Sequence, residues 1–108
     1  MDETLFLYTT WPDAETAEAV GAQAVEQGLA ACINVFSPIR SVYRWQGAVE
    51  WASEVPMTFK TTRARGEALK ALIVARHPYE LPCILALAVD AAASHPAFLA
   101  WIAAETST

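Results

Sequence analysis

From Val49 to Lys60 the chain alternates, with Val49, Trp51, Val55, Met57 and Phe59 on one parity and Glu50, Glu54, Thr58 and Lys60 on the other. Period two marks a half-buried strand. Before Gln46-Gly47 the odd positions Ile33, Val35, Ile39, Tyr43 and Trp45 are also mostly apolar. Two such runs meeting at a glycine read as a β-hairpin. A two-residue Gln46-Gly47 loop would pair Trp45 with Ala48. A three-residue loop, Gln46 to Ala48, pairs Trp45 with Val49 and Tyr43 with Trp51, and gathers the apolar parity on one face. The second register is the expected one, because a slip of one residue turns the whole apolar set to water. Each arm is roughly twice the usual strand length of about five or six residues. Part of the ribbon should therefore project past a small body, with Tyr43, Trp45 and Trp51 as a surface for a partner. Ordinary core aromatics with a bulge at Ser37-Pro38 are the plainer alternative.

The rest of the chain supplies the body. Thr4 to Thr10 is a short apolar run of β-formers, hence a central strand, punctuated by Trp11-Pro12-Asp13. Asp13 can cap a helix that runs to about Glu26, with Glu15 and Glu18 near its positive end. Ala17, Val20, Ala24 and Val25 form its apolar face, and Gly28 is placed to terminate it. Gly21 in mid-helix costs about 1 kcal/mol against alanine, a cost that close packing on a sheet would offset. After the hairpin, Arg63 to Arg76 carries Leu69, Leu72, Ile73 and Arg76 at helical spacing, and His77-Pro78 stops it. Cys83 to Val89 is a nearly continuous apolar strand, and Asp90 to Ser94 is a loop. Ser94 is read as the cap of a last helix with Pro96 near its start, and Phe98, Trp101 and Ile102 as that helix's buried stripe.

The order β-α-β-β-α-β plus a C-terminal helix predicts an α+β, ferredoxin-like antiparallel sheet with both main helices on one face. The hairpin's first strand and the last strand then lie at opposite edges, and open edges invite pairing with another chain. At 108 residues the chain is read as one domain, 1–108. Hydrophobic residues make up 55% and charged residues 18%, against typical values of about 45–50% and about 25%. In so small a chain the apolar excess is expected on a surface shared between copies, so a homo-oligomer is predicted. The net charge of −5 leaves no basic patch for nucleic acid. No apolar run reaches the roughly 18 residues of a membrane helix, and no secretory signal is read, so a soluble cytoplasmic protein is expected. Cys32 and Cys83 then read as reduced thiols in apolar strand contexts.

Candidate chemistry gathers in two places. His77 at a helix end is a common metal ligand when neutral, Glu80 follows three residues on, and Cys83 adds a thiolate that would shift preference toward softer metals such as Cu(I) or zinc. The alternative is a helix stop with a satisfied ring. Cys32 lies at the other edge, three strand spacings or roughly 14 Å away, and can join a shared metal only across a contact between copies. On the ribbon, Lys60, Glu54, Tyr43 and Trp45 combine a cation, a carboxylate and aromatics, which suits a small anion in a cleft between subunits. Tyr79 and Trp101 complete that candidate cleft, although Trp101 also reads as core. A plain ion pair between Lys60 and a glutamate is the other reading. The sequence offers no C-x-x-C, H-E-x-x-H, glycine-rich phosphate loop or G-x-S-x-G, and no nucleophile–base pair, so no enzyme is predicted.

Taken in order, Ala31-Cys32-Ile33-Asn34-Val35, Ser41-Val42-Tyr43-Arg44-Trp45-Gln46-Gly47, Glu54, Lys60-Thr61 and His77-Pro78-Tyr79-Glu80-Leu81-Pro82 resemble the CutA divalent-cation tolerance proteins. The resemblance runs from Leu5 to about Ile102. It implies a ferredoxin-like subunit in a tight homotrimer, binding of copper or other divalent metals, and a role in metal tolerance without turnover. The assembly is similar to the PII-like signalling trimers, which makes a small anionic metabolite at the inter-subunit cleft the alternative ligand. The chain departs from the family's pattern at four places. Cys83 stands where glutamate is usual, Phe98 where tyrosine is usual, Arg76 where some members carry a second histidine, and Pro56 interrupts the second hairpin arm.

Overall fold

The computed structural model describes residues 2–107. Its elements are β1 (Thr4–Trp11), α1 (Ala14–Glu26), β2 (Cys32–Val35), β3 (Ile39–Trp45), β4 (Ala48–Thr62), α2 (Arg63–Arg76), β5 (Ile84–Ala88) and α3 (Pro96–Glu105). The expected α+β antiparallel sheet is present, in the order β2-β4-β1-β5, with β3 also paired to β4. Strands β2 and β5 are the opposite edges. The expected first arm of the hairpin is thus two strands, interrupted at Phe36, Ser37 and Pro38 and both laid along the fifteen-residue β4.

The interruption accounts for Pro56. The Phe36 N–H donates to the Pro56 carbonyl at 2.9 Å, so that carbonyl points toward the β2–β3 side. In an antiparallel strand a residue's nitrogen and carbonyl point the same way. The donor that proline lacks therefore falls where the neighbouring strand is already broken, and Pro56 sits buried inside a central strand.

The hairpin loop differs from the expectation. Trp45 pairs with Ala48, Arg44 with Val49, Tyr43 with Glu50 and Val42 with Trp51, the register of a two-residue Gln46-Gly47 loop. Gln46 has φ 49° and Gly47 φ 84°, the positive pair of a type I′ turn, whose twist matches that of the flanking strands. Turn geometry outweighs apolar parity here because the ribbon has no single buried face to enforce one. Arg40, Val42, Val49 and Trp51 share one face, where the Arg40 guanidinium lies 5.0 Å from the Trp51 ring centroid. Tyr43 and Trp45 lie on the other with Glu50 and, by alternation, Glu54. The ribbon projects as expected: β3 pairs with β4 alone, and Trp51 is 61% exposed.

Helices α1 and α2 cover one face of the sheet. Leu5, Leu7, Trp11, Val20, Ala24, Met57, Phe59, Leu69 and Ile73 are buried between them and the strands. Gly21 is where α1 touches the sheet, since a Cβ there would lie 2.9 Å from Met57 Sδ and 3.1 Å from Ile33 Cγ1. Asp13 caps α1 as expected, its carboxylate accepting from the Thr16 N–H at 2.7 Å. Gly28 ends the turn after it with φ 69°. Val25, expected on the buried face of α1, is exposed, and the face that meets the sheet is instead Ala17, Val20, Gly21 and Ala24. His77 stops α2 in an extended conformation, as a residue before proline should.

Two expectations for the last helix are corrected. His95, not Ser94, caps α3: its Nδ1 accepts from the Ala97 N–H at 3.1 Å, while the Ser94 hydroxyl turns back to the Asp90 carbonyl at 2.6 Å. The buried side chains are Leu99 and Ile102. Phe98 and Trp101 are 44% and 41% exposed and lie against each other at 5.4 Å, on a side of α3 that the described residues leave open. The same holds for β5, where Leu85 and Leu87 are largely exposed. No helix among the described residues is long and apolar enough to cross a membrane.

The turn supplies a test of the corrected register. Gln46→Asn, which tolerates a positive φ, should raise stability by about 0.5 kcal/mol, and Gly47→Ala should lower it by about 1 kcal/mol. Urea midpoints measured at one fixed protein concentration check both. Equal midpoints for Gly47→Ala and the parent would contradict the turn described.

Candidate functional site

The end of β1, the segment after α2 and the base of the ribbon meet around Thr10. Trp11 is fully buried, and its indole N–H donates to the Thr9 hydroxyl at 2.7 Å, which donates in turn to the Met57 carbonyl at 2.7 Å. On the indole lies the His77 ring, stacked at 4.1 Å. His77 Nε2 is 2.8 Å from the Thr10 carbonyl, and the Tyr79 N–H donates to His77 Nδ1 at 3.1 Å. A carbonyl only accepts and an amide N–H only donates. The ring is therefore the neutral Nε2–H tautomer, with both nitrogens in use.

Burial lowers the His77 pKa below its ordinary value of 6.5, against the opposing effects of the Thr10 carbonyl and the Glu54 charge. The end of the α2 dipole, which favours imidazolium, is outweighed. Burial also pushes the Tyr79 phenol up to about 12, helped by the charge of Glu54 and by a hydrogen bond to its carboxylate. Cys83 lies beside the Thr10 hydroxyl. Burial raises its thiol pKa, the Thr10 hydrogen bond lowers it, and the Glu54 charge raises it again. His77, Tyr79, Cys83 and Glu54 thus form one neighbourhood at the base of the ribbon, and Tyr43 is close enough to act on the Tyr79 phenol.

The other candidates lie elsewhere in the chain. Glu80 is exposed on the segment before β5. Cys32 is on the far edge strand, where Lys60 Nζ donates to its Sγ at 3.3 Å and also to Asn34 Oδ1. Lys60 therefore stands apart from Glu54, and Trp45 is at the ribbon tip. Trp101 is on α3 with Phe98. Among the described residues, no three of His, Cys, Asp and Glu converge as a cation site within one chain. For His77 to ligate a cation, the Tyr79 bond to Nδ1 or the Thr10 bond at Nε2 must be given up.

Three contributors were not singled out from the sequence. Thr10 read as the end of a strand and Trp11 as part of the punctuation after it, yet they supply the carbonyl and the platform that fix His77. Asn34 anchors Lys60. The signal for the first pair was β-branched Thr9-Thr10 running into a tryptophan, which extends the strand instead of ending it.

Three comparisons bear on this geometry. A family model described as CutA1 divalent ion tolerance protein matches residues 5–105. The divalent-cation tolerance protein CutA of Archaeoglobus fulgidus is 37% identical over 97 residues, covering 90% of this chain and 92% of that one. Protein CutA of Mus musculus is 36% identical over 95 residues, covering 88% of this chain but 52% of the mouse protein. A solved structure described as the periplasmic divalent cation tolerance protein CutA from Archaeoglobus fulgidus superposes with a TM-score of 0.90 at 35% identity, covering 96% of this chain and 99% of that one.

The neutral His77 has a consequence for stability. Its folded pKa lies below its unfolded one, so over that interval the unfolded chain binds more protons and stability falls as pH falls. The loss should begin near the ordinary value of 6.5 and continue downward until the folded imidazole itself titrates. Unfolding free energies of the parent and of His77→Gln between neutral and mildly acidic pH test this: the parent should show the steeper decline, and parallel curves would refute it.

Proposed function

The chain belongs to the CutA1 divalent ion tolerance protein family, and from that membership we propose that it binds divalent cations, copper foremost, as a non-catalytic cytoplasmic homotrimer of single-domain subunits. The observation that carries the reading is the gathering of His77, Cys83, Tyr79 and Glu54 around Thr10. One chain does not complete a cation site there, so the ion is placed at a seam between copies. Cys83 supplies sulfur and His77 a ring nitrogen, released from Tyr79 or Thr10 when the cation arrives. Glu80, exposed on the same segment, supplies an oxygen. Cys32, on the opposite edge, can contribute only from another copy.

The chemistry is self-consistent. A cation replaces the proton on a thiol, so binding at Cys83 must overcome the burial and the Glu54 charge that keep that proton in place. Affinity should therefore rise with pH. The assembly has its own support in the exposed apolar side chains of the ribbon, of β5 and of α3, which exceed what scattered surface residues account for. The second observation is compositional, since charged residues are few for a chain this small.

Titration with Cu(II), and with Cu(I) under reducing conditions, separates the parts of this reading. Cys83→Ser and His77→Ala should each weaken binding by roughly tenfold or more. Unchanged affinity in both variants would remove these residues from the site. Sedimentation of a dilute sample should give a compact trimer, and a well-folded single chain would overturn the assembly.

A further inference from the structure

On the sheet face turned away from α1 and α2, Cys32 of β2 and Lys60 of β4 are register partners, so their side chains leave the sheet side by side. Lys60 Nζ reaches Cys32 Sγ at 3.3 Å. Asn34, two residues along the same edge strand and so on the same face, takes a second hydrogen bond from that nitrogen. Both Cys32 and Lys60 are half-buried. An ordinary surface lysine sweeps through solvent, whereas this one is held with its nitrogen against a sulfur. Within one chain, divalent-cation binding at the base of the ribbon does not use this contact.

We propose that Cys32 and Lys60 are an oxidation-sensitive pair, which hydrogen peroxide converts into a covalent sulfur–nitrogen crosslink between β2 and β4. Sγ attacks one peroxide oxygen, the O–O bond breaks, water leaves and Cys32 becomes a sulfenic acid. The sulfur loses two electrons and the peroxide gains them. Lys60, after its ammonium gives one proton to water, places its nitrogen lone pair on Sγ. The S–O bond then breaks, and the hydroxyl leaves with a second nitrogen proton as water. In sum, one thiol, one ammonium and one peroxide yield one sulfenamide, two waters and one proton. A sulfenic acid is known to condense with a backbone nitrogen to a sulfenamide, and here a side-chain nitrogen already lies 3.3 Å from the sulfur. The bond would fasten a four-residue edge strand to the longest strand of the sheet and consume the positive charge of Lys60. Cys83 provides the internal comparison, because it faces Thr10 and the Glu54 carboxylate.

The test is peroxide treatment of the intact native protein, followed by thiol blocking under denaturing conditions, intact mass and a tryptic map. The expected product is lighter by two hydrogen atoms per chain. It resists cleavage after Lys60, joins the Cys32 peptide to the Lys60 peptide, and returns to the starting mass with dithiothreitol. Cys83→Ser should give the same product. Lys60→Arg, which keeps the charge but offers no comparable nucleophile, should carry Cys32 on to sulfinic acid. The parent's own map decides the matter even if a variant folds poorly. A Cys32–Cys83 disulfide, or Cys32 accumulating as sulfinic acid in the parent, would overturn the proposal.

Discussion

The ladder along β4 is the constraint from which the rest of the structure follows. Its C-terminal half bonds to β1 on one side and to β2 on the other, and its N-terminal half bonds to β3 alone. Fifteen residues of β4 face eight of β1, so about half of β4 must run on without the body beside it. Along that half, apolar side chains such as Val42, Val49 and Trp51 have no helix to cover them. A chain whose β4 began at Val55 would bury a larger fraction of its apolar surface. Keeping the overhang makes sense if another surface receives it, which is why assembly and cation binding belong to the same proposal.

Two local devices make so long a strand tolerable. The break at Phe36–Pro38 falls opposite Pro56, so the missing donor and the break in the neighbouring strand coincide. The I′ turn at Gln46-Gly47 lets the ribbon twist with its own strands. Because both faces of the ribbon are open, the turn sets the register. In the body the reverse holds: burial on the helix face locks Leu5, Leu7, Met57 and Phe59 into alternation, and a one-residue slip there would expose the core.

That difference explains what could be read from the amino acids. Element order, sheet topology, the Asp13 cap, Gly21 at a close contact and His77 as a stop all follow from local rules that agree with burial. The ribbon register was not legible, since it hinges on Gln46 adopting φ 49°, a conformation that glutamine does not advertise. Nor was the exposure of Phe98 and Trp101, because helical spacing marks an apolar stripe without saying whether the same chain covers it. The candidate site was legible as a list and not as a place. His77 and Cys83 do come together, but through Thr10 and Trp11. Lys60 and Glu54, which spacing alone grouped on one ribbon, face different neighbours.

Their separation organises the chemistry of the sheet face that α1 and α2 leave uncovered. Glu54 and Lys60 share the even parity of β4, with Pro56 and Thr58 between them, about 20 Å apart along the strand. Each end meets a cysteine from a different edge of the sheet. At one end burial, with the Glu54 carboxylate adding to it, opposes ionisation of Cys83 and of the Tyr79 phenol. At the other a lysine nitrogen touches Cys32. One strand therefore presents a carboxylate to one thiol and an amine to the other, so the two cysteines of this chain cannot be equivalent in redox or metal chemistry even though both read as half-buried apolar thiols. The asymmetry comes from register alone. Shifting β2 by one residue against β4 would turn Cys32 to the helix side and dissolve the pair, while leaving Cys83 and its carboxylate untouched.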